Sequence, residues 1–266
     1  MRGVCFLKKD EMKLYYIWLE NIKGLGPKAW HEFLHAYGNP EFIFQGKGML
    51  RPKGKVTEHQ IGLLQSGADQ SMEEAKRILD RCLELKIQIV TFEDSYYMPN
   101  LKEYMDFPIV FYAKGCFRED WTHGCGIVGS RRCSEKGKEM AIQRAVQEIK
   151  KGHPIISGMA KGIDSYAHTA AVKNSGYTIA VLAYGIDLCY PPEHRRLKEI
   201  IAEKGLIISE YPPGTSPHKY NFPLRNRIIA GLSDTLYVVD TGVRSGTETT
   251  IRAAQKYGKR VEKITN

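Results

Sequence analysis

The chain has 266 residues, enough for one large domain or two of ordinary size, and 42% of them are hydrophobic, enough for a packed interior. Lys and Arg number 39 against 30 Asp and Glu, and the net charge of +9 is spread along the chain, which favours a polyanionic partner. Neither a membrane span nor a signal peptide is indicated, because no apolar run is long enough and residues 3–7 are too few for a signal-peptide core.

The cysteines are scattered and form no Cys-x-x-Cys pair, so we predict that they are reduced, buried thiols. They are Cys5, Cys82, Cys116, Cys125, Cys133 and Cys189. This usage, without a membrane span or a signal peptide, predicts a cytoplasmic protein that has no membrane partner.

Residues 13–44 carry apolar side chains at helical spacing, interrupted by Ile22-Lys-Gly-Leu-Gly-Pro27, and this pattern predicts two helices joined by a tight turn. Gly24 and Gly26 can take the positive φ of such a turn, and Pro27 suits the first position of the second helix. Residues 57–85 are helical in pattern again. We therefore predict a small all-helical domain over residues 1–85.

The segment His31-Glu-Phe-Leu-His35 matches the H-E-x-x-H pattern of zinc proteases. Such a site needs a third ligand and an open cleft, whereas the neighbours Trp30, Phe33 and Leu34 are typical of packing residues. We interpret the match as chance or surface histidines, and expect neither a metal nor a cofactor.

Residues 87–92 and 109–112 are short and β-rich, and lead into a second domain predicted over residues 86–266. From Cys125 onward, apolar strands alternate with helical segments. This alternation predicts an α/β fold with a mainly parallel sheet covered on both faces. The predicted strands are 125–128, 155–157, 177–183, 206–209 and 235–239, and the predicted helices are 135–151, 163–175, 193–204, 222–232 and 246–257.

Ligands of such sheets bind beyond the carboxyl ends of the strands, so the loops that follow the strands are where a site is expected. After the first strand, Gly129 allows a sharp turn, Ser134 is a good N-cap, and Arg131 adds a forked donor near the free amides of a helix start. Free amides at a helix start favour an anion such as phosphate. A capped turn with solvated arginines explains the same residues equally well.

The loop after the second strand, Ser157-Gly-Met-Ala-Lys-Gly-Ile-Asp164, is again built of small residues. Lys161 is placed to face the same edge of the sheet. Asp164, at a helix start, is interpreted as a cap that complements the helix dipole, and a catalytic carboxylate is the less favoured alternative.

The loop over residues 209–227 is long, stiffened by prolines, and rich in rings and cations. Rings stack on unpaired bases and cations hold phosphates, which is the combination that single-strand binders need. Alternatively, Tyr220 and Phe222 anchor the loop to the core while Arg225 and Arg227 make salt bridges. The sequence leaves the role of Phe222 open, and residues 228–232 are predicted to be core.

Five ordered motifs in this region carry a resemblance to a known family. They are Gly129-Ser-Arg131, Ser157-Gly-Met-Ala-Lys-Gly-Ile-Asp164, Tyr190-Pro-Pro192, Ser209-Glu-Tyr-Pro212 and Phe222-Pro-Leu-Arg-Asn-Arg-Ile-Ile-Ala-Gly-Leu-Ser233. The region resembles the DNA-processing protein A (DprA, also called Smf) family. The resemblance implies an extended Rossmann-like domain after a helical, sterile-alpha-motif-like (SAM-like) domain, and a non-enzymatic homodimer. The implied role is to bind and protect incoming single-stranded DNA and to help load the RecA recombinase in natural transformation.

The family's DNA pocket, carried over by matching motifs, falls on Ser130, Arg131, Ser157, Gly158, Lys219, Phe222, Arg225 and Asn226. With the loop residues chosen on physical grounds, the expected DNA-binding set also includes Gly129, Lys161 and Arg227. The sequence departs from the family pattern at two places. His194 replaces the family's usual Asn, and Ser245-Gly-Thr-Glu-Thr-Thr250 replaces a more apolar stretch. The sequence predicts no C-terminal winged helix of the kind that many relatives carry.

A rival interpretation is an enzyme, because Gly242-Val-Arg-Ser-Gly-Thr-Glu248 faintly resembles the glycine-rich loop of nucleotide phosphoribohydrolases. Glu248 would then assist cleavage of a ribosyl bond. The spacing differs from that family, which also lacks the loop over residues 222–227. We therefore predict a single-stranded DNA-binding protein in preference to this enzyme.

Overall fold

The computed structural model describes residues 2–118, 123–240 and 246–264, without the side chains of residues 2–10. The chain divides into two compact units, Met1–Phe111 and Tyr112–Asn266. This boundary is later than the predicted one at residue 85, because the following segment is bonded within the first unit. The Phe92 amide donates to the Ile109 carbonyl at 2.9 Å. The Tyr97 hydroxyl donates to the Pro108 carbonyl at 2.7 Å.

The first unit is mainly helical. Its elements are α1 (Arg2–Glu20), α2 (Pro27–Tyr37), α3 (Pro40–Gln45), α4 (Glu58–Glu84), β1 (Gln88–Thr91) and α5 (Pro99–Lys102). Trp18 is fully buried, and its indole Nε1 donates to the Ala68 carbonyl at 3.0 Å, which fastens α1 to α4. The hydroxyl of Thr57 accepts from the Gln60 amide and starts α4.

The turn before α2 differs from the prediction at one glycine. Gly24 has φ of +85°, as expected, whereas Gly26 has φ of −123° and precedes a helix that begins at Pro27. His31, in α2, is buried, and its Nε2 lies 3.0 Å from the Phe107 carbonyl, to which it must donate. That nitrogen is therefore committed to a structural hydrogen bond.

The second unit is a mainly parallel sheet with helices. Its strands are β2 (Val110–Gly115, whose first two residues belong to the first unit), β3 (Cys125–Gly129), β4 (Ile155–Ser157), β5 (Thr178–Leu182), β6 (Leu206–Ser209), β7 (Thr235–Val239) and β8 (Arg260–Ile264). The helices are α6 (Glu135–Lys150), α7 (Ile163–Lys173), α8 (Arg195–Lys204), α9 (Asn221–Leu232) and α10 (Glu248–Lys256). These strands lie in the order β2-β6-β5-β4-β3-β7-β8. β2 pairs antiparallel with β6, from Tyr112 opposite Ser209 to Gly115 opposite Leu206, and the other pairs are parallel.

The α/β fold class predicted from the alternation is confirmed, and the predicted strands from Cys125 onward agree with β3 to β7 to within a residue at each end. β8 was not predicted from the sequence. Its residues are exposed or half-buried and include three charges, so they form no apolar run. A buried cluster that includes Ile127, Ala141 and Ala167 packs α6 and α7 against the sheet.

His168, in α7, is a fully buried histidine whose Nδ1 lies 2.8 Å from the hydroxyl of Thr178. Burial, assisted by nearby His194, lowers the pKa of His168 from 6.5 to about 3. Between these values the unfolded chain binds the proton and the folded chain does not, so folding stability falls as the pH drops below 6.5. Each pH unit lost in this window is expected to cost about 1.4 kcal/mol.

We expect His168→Gln to weaken this pH dependence of the free energy of unfolding, measured by urea denaturation at pH 7.5 and 5.5. His35→Gln, which alters an exposed histidine of α2, is the control and should leave the dependence unchanged. An equal pH dependence in the His168 variant and in the parent chain would contradict the assignment.

The predicted burial of the cysteines holds only in part. Cys82 and Cys125 are buried, Cys133 and Cys189 are half-buried, and Cys116 is exposed; none of these five is in a disulfide. The side chain of Cys5 lies outside the described residues. Within the described ranges, no helix combines the length and the apolar character needed to cross a membrane.

Candidate nucleic-acid interface

The candidate site lies where the order of the sheet reverses. From β3 the chain runs outward through β4, β5 and β6 on one side, and it then returns to place β7 on the other side of β3. Ligands of open α/β sheets bind at such a point, where the strand order reverses. A pocket of about 520 Å³ opens beyond the carboxyl end of β3. Its lining residues are Val128, Gly129, Ser130, Arg131, Arg132, Ala160, Asp164, Lys219, Phe222, Pro223, Arg225, Asn226, Ile229, Gly246, Thr247 and Thr250.

The loop after β3 is held by its own polar groups. The hydroxyl of Ser130 accepts from the Arg132 amide at 3.1 Å. The hydroxyl of Ser134 accepts from the Gly137 amide at 3.0 Å, which confirms the predicted N-cap of α6. Asp240, after β7, accepts from the Ser134 amide at 2.6 Å. Gly129 serves close packing, because a Cβ there would collide with the carbonyl of Val239.

Three cations of the pocket are exposed: Arg131, Arg132 and Lys219. None of them makes an ion pair with a carboxylate in the part of the chain that the structure describes. Arg132 was not among the predicted contacts, although it adjoins Arg131 in the sequence. The three side chains are therefore available to an anion.

The loop after β4 is fixed by two buried charges from opposite sides. The carboxylate of Asp164 accepts from the amides of Gly158, at 3.1 Å, and Ala160, at 3.4 Å. The guanidinium of Arg225 donates to the carbonyl of Gly158 at 2.8 Å and also to that of Val181. We name this arrangement the Asp164–Arg225 clasp. Asp164 thus caps the loop before α7 and not the helix amides themselves.

The predicted residues of the loop after β4 do not present their side chains together to the pocket. The Ser157 hydroxyl is fully buried and donates to the Ile127 carbonyl at 2.6 Å. Gly158 is buried, and a Cβ there would collide with the guanidinium of Arg225. Lys161 is exposed and forms an ion pair with Glu193 outside the lining of the main pocket. Of the predicted residues in this loop, none presents a free charge to the pocket.

Phe222, at the start of α9, is half-buried and forms part of the pocket wall. The guanidinium of Arg131 lies over its ring, 5.4 Å from the centroid, at cation–π distance. The ring centroid of Tyr190 lies 5.8 Å from that of Phe222. A small recess of about 60 Å³ separates Phe222 and Tyr190 from the loop at Gly158. A ring and an exposed cation therefore share one wall.

The basic residues of α9 have different roles. Arg225 is 3% exposed and lines the pocket only from beneath, as part of the clasp. Arg227 does not line the pocket, because its guanidinium makes two bonds to the carboxylate of Glu210, at 2.9 and 2.6 Å.

The other residues of α9 also differ in their roles. Asn226 lines the pocket and donates to the Thr249 hydroxyl at 2.8 Å. Residues 228–232 are buried, which confirms that they are core.

One wall, formed by Gly246, Thr247 and Thr250 at the start of α10, was not predicted as part of the site. The sequence feature that could have indicated this wall is the glycine-rich stretch on which the enzyme alternative was based. The portion Gly242–Ser245 of that stretch lies outside the described residues. Glu248 is exposed, pairs with Arg252 at 3.3 Å, and does not line the pocket.

The fold and the site define a class, which is a Rossmann-like α/β protein with a pocket where the strand order reverses. We call the pocket beyond the carboxyl end of β3 the switch-point pocket; it offers exposed cations and an accessible ring. The sequence profile of the family described as DNA recombination-mediator protein A matches residues 88–265. The chain belongs to this family, and the resemblance drawn from the five motifs is confirmed.

Individual relatives and solved structures agree with this family membership. DNA processing protein DprA of Streptococcus pneumoniae is 40% identical over 168 residues, which cover 63% of this chain and 59% of the relative. Protein Smf of Synechocystis is 41% identical over 183 residues, covering 67% of this chain and 46% of that protein. The chain thus spans roughly half the length of these relatives.

The crystal structure of the Streptococcus pneumoniae protein superposes with a TM-score of 0.73 at 31% identity, covering 95% of this chain and 87% of that one. A structure of the Helicobacter pylori protein, described as giving insight into its single-stranded DNA binding mode, has a TM-score of 0.60 at 31% identity. It covers 67% of this chain and 81% of that one.

Proposed function

We propose that the switch-point pocket binds a single strand of DNA, with phosphates at the exposed cations and a base against Phe222. The observation that carries the proposal is the shared wall in which the Arg131 guanidinium lies 5.4 Å from the Phe222 ring centroid. A nucleotide presents a phosphate and a base within one short unit, so a cation beside a ring matches both parts. The Helicobacter pylori relative supports the choice of strand.

The chemistry of the pocket favours a single strand over a duplex. A stacking ring needs the face of a base, which a duplex hides within its stack and a single strand exposes. Arg131 and Arg132 offer forked donors to phosphate oxygens, and Lys219, which lines the same pocket, offers a point charge. No base-specific donor set is needed for this mode, so we expect little sequence preference.

The wider role proposed for the chain is that of a recombination mediator. It would protect incoming single strands and help load the RecA recombinase onto them in natural transformation, acting as a homodimer and without catalysis. Family membership and the relatives named DNA processing protein DprA support this role. DNA binding by purified chain is the first requirement of the proposal, and a RecA-loading assay is the second.

Arg131→Ala is expected to weaken binding to an oligo-dT single strand and to lower the salt dependence of the affinity. Losing one phosphate contact should reduce the slope of log K against log salt by about 0.7 for a single strand. Fluorescence anisotropy across a series of salt concentrations measures both quantities. Arg196→Ala, which removes an exposed arginine of α8 that does not line the pocket, is the matched control.

Two outcomes would count against the pocket. The first is equal affinity of the parent chain for single strand and duplex. The second is a salt slope that Arg131→Ala leaves unchanged, or that Arg196→Ala lowers just as much. The enzyme alternative makes a separate prediction, which is release of free adenine from AMP. We expect none, since Glu248 is paired with Arg252 away from the pocket.

A further inference from the structure

A second cluster of functional side chains lies at the other end of β3. Cys125 is the first residue of β3, Glu148 is in the last turn of α6, and His153 is in the connection from α6 to β4. Gly129 at the DNA pocket is the last residue of the same strand. The cluster therefore belongs to the opposite edge of the sheet, and the proposed DNA site does not use it.

The three donor atoms of this cluster face one another. The Cys125 Sγ lies 3.4 Å from Glu148 Oε2 and 3.7 Å from His153 Nδ1. His153 Nδ1 lies 2.9 Å from Glu148 Oε2. A tetrahedral zinc ion with bonds of about 2.0 to 2.3 Å separates its ligand atoms by roughly 3.3 to 3.8 Å. Two of the three separations match this, and the third needs a shift of less than about 0.5 Å.

The other oxygen of Glu148 is held by outer partners. Its Oε1 accepts from the Lys151 ammonium at 3.0 Å and from the Tyr237 hydroxyl at 3.1 Å, with the Arg144 guanidinium at 3.6 Å. Glu148 is 1% exposed, so these bonds fix the orientation of its carboxylate and direct Oε2 toward the sulfur and the imidazole. Metal-binding carboxylates are oriented in this way by groups around them.

We propose that Cys125, Glu148 and His153 bind one zinc ion, with solvent in the fourth position. A thiolate, an imidazole and a carboxylate suit zinc and disfavour magnesium and calcium, which take oxygen ligands. The thiolate and the carboxylate together neutralise a divalent ion, so Lys151 and Arg144 would face a neutral centre. His153 is half-buried, which leaves a solvent approach to the ion.

Ion binding changes the bonding of the sulfur. In the metal-free chain, burial and the Glu148 carboxylate raise the pKa of the Cys125 thiol to about 12, so the thiol donates its proton toward Glu148. A coordinating thiol is deprotonated by the metal, and its proton passes to solvent. The ion then links β3, α6 and the connection to β4 in place of that hydrogen bond.

The test uses the full chain stripped with a chelator and titrated with cobalt chloride, followed by zinc chloride. We expect one equivalent of cobalt, a thiolate-to-cobalt charge-transfer band in the near ultraviolet, tetrahedral visible bands, and displacement by zinc. Cys125→Ser should abolish the charge-transfer band, and His153→Ala should weaken binding by at least about tenfold. Cys116→Ser and His35→Ala, which alter an exposed thiol and an exposed histidine, are the matched controls.

Several outcomes would overturn the proposal. These are substoichiometric cobalt, a spectrum without thiolate bands, or a band that Cys116→Ser removes and Cys125→Ser keeps. Circular dichroism establishes that each variant is folded. Should Cys125→Ser fail to fold, His153→Ala carries the test, since the half-buried imidazole can be removed with little loss of packing. DNA binding is not among the readouts, so the two proposals stand or fall separately.

Discussion

Replacing Arg225 by alanine is expected to lower the free energy of unfolding by about 3 to 5 kcal/mol, the usual cost of leaving a buried charge without its countercharge. Arg225 is 3% exposed, and its guanidinium bonds to the carbonyls of Gly158 and Val181. Its loss leaves both carbonyls without this donor and leaves Asp164 buried without the countercharge that opposes the burial-driven rise of its pKa. Urea denaturation at neutral pH measures the effect.

Arg227→Ala is the comparison within the same helix. Arg227 also makes two bonds to a carboxylate, but its side chain is 16% exposed and Glu210 is 12% exposed, so water can replace part of what is lost. We expect a smaller loss of stability, of about 1 to 3 kcal/mol. Equal losses in the two variants, or a loss below about 1 kcal/mol for Arg225→Ala, would contradict the role given to the clasp.

The clasp also predicts how Arg225 affects DNA binding. Because the guanidinium is buried among protein carbonyls, we infer that it positions the Gly158 loop without contacting phosphate. Arg225→Gln, studied where it remains folded, should weaken binding yet keep the salt slope, in contrast to Arg131→Ala. Asp164→Asn, which leaves the number of cations unchanged, should behave similarly. A slope reduced by about 0.7 in Arg225→Gln would instead assign the residue a direct phosphate contact.

Replacing Phe222 by alanine is expected to weaken single-stranded DNA binding by about 1 to 3 kcal/mol, or roughly 5-fold to 150-fold, which is the usual contribution of one stacked base. The ring is half-buried, forms part of the pocket wall and lies under Arg131. Its removal takes away a stacking surface and the cation–π contact that orients the arginine. Fluorescence anisotropy with an oligo-dT strand measures the change.

Two further variants make this result specific. Phe222→Trp keeps a stacking face and should retain most of the affinity. Leu224→Ala, which removes an exposed apolar residue of α9 outside the pocket lining, should have little effect on binding. Loss of folded structure in Phe222→Ala, or unchanged affinity in a folded variant, would show that the ring serves packing and not recognition.

Local sequence patterns were enough to predict many of the strands, one helix cap and part of the core. The alternation of apolar strands and helical segments predicted β3 to β7, since a strand buried on both faces needs a continuous apolar run. Ser134 was predictable as a cap because capping depends on groups only three residues apart. Residues 228–232 were predictable as core from their apolar character alone. The motif loops that follow β3 and β4 lie at the carboxyl edge of the sheet, where the candidate pocket opens.

The tertiary structure decided what each polar residue does. Lys161, Arg225 and Arg227 are all cations near the predicted site, but the fold gives each a different partner from a distant position in the chain. Lys161 pairs with Glu193, Arg225 bonds to the Gly158 carbonyl, and Arg227 pairs with Glu210. Only Arg131, of the arginines predicted for the site, remains exposed at the pocket. A cation's availability depends on which carboxylates and carbonyls surround it in space, and a local pattern does not contain that information.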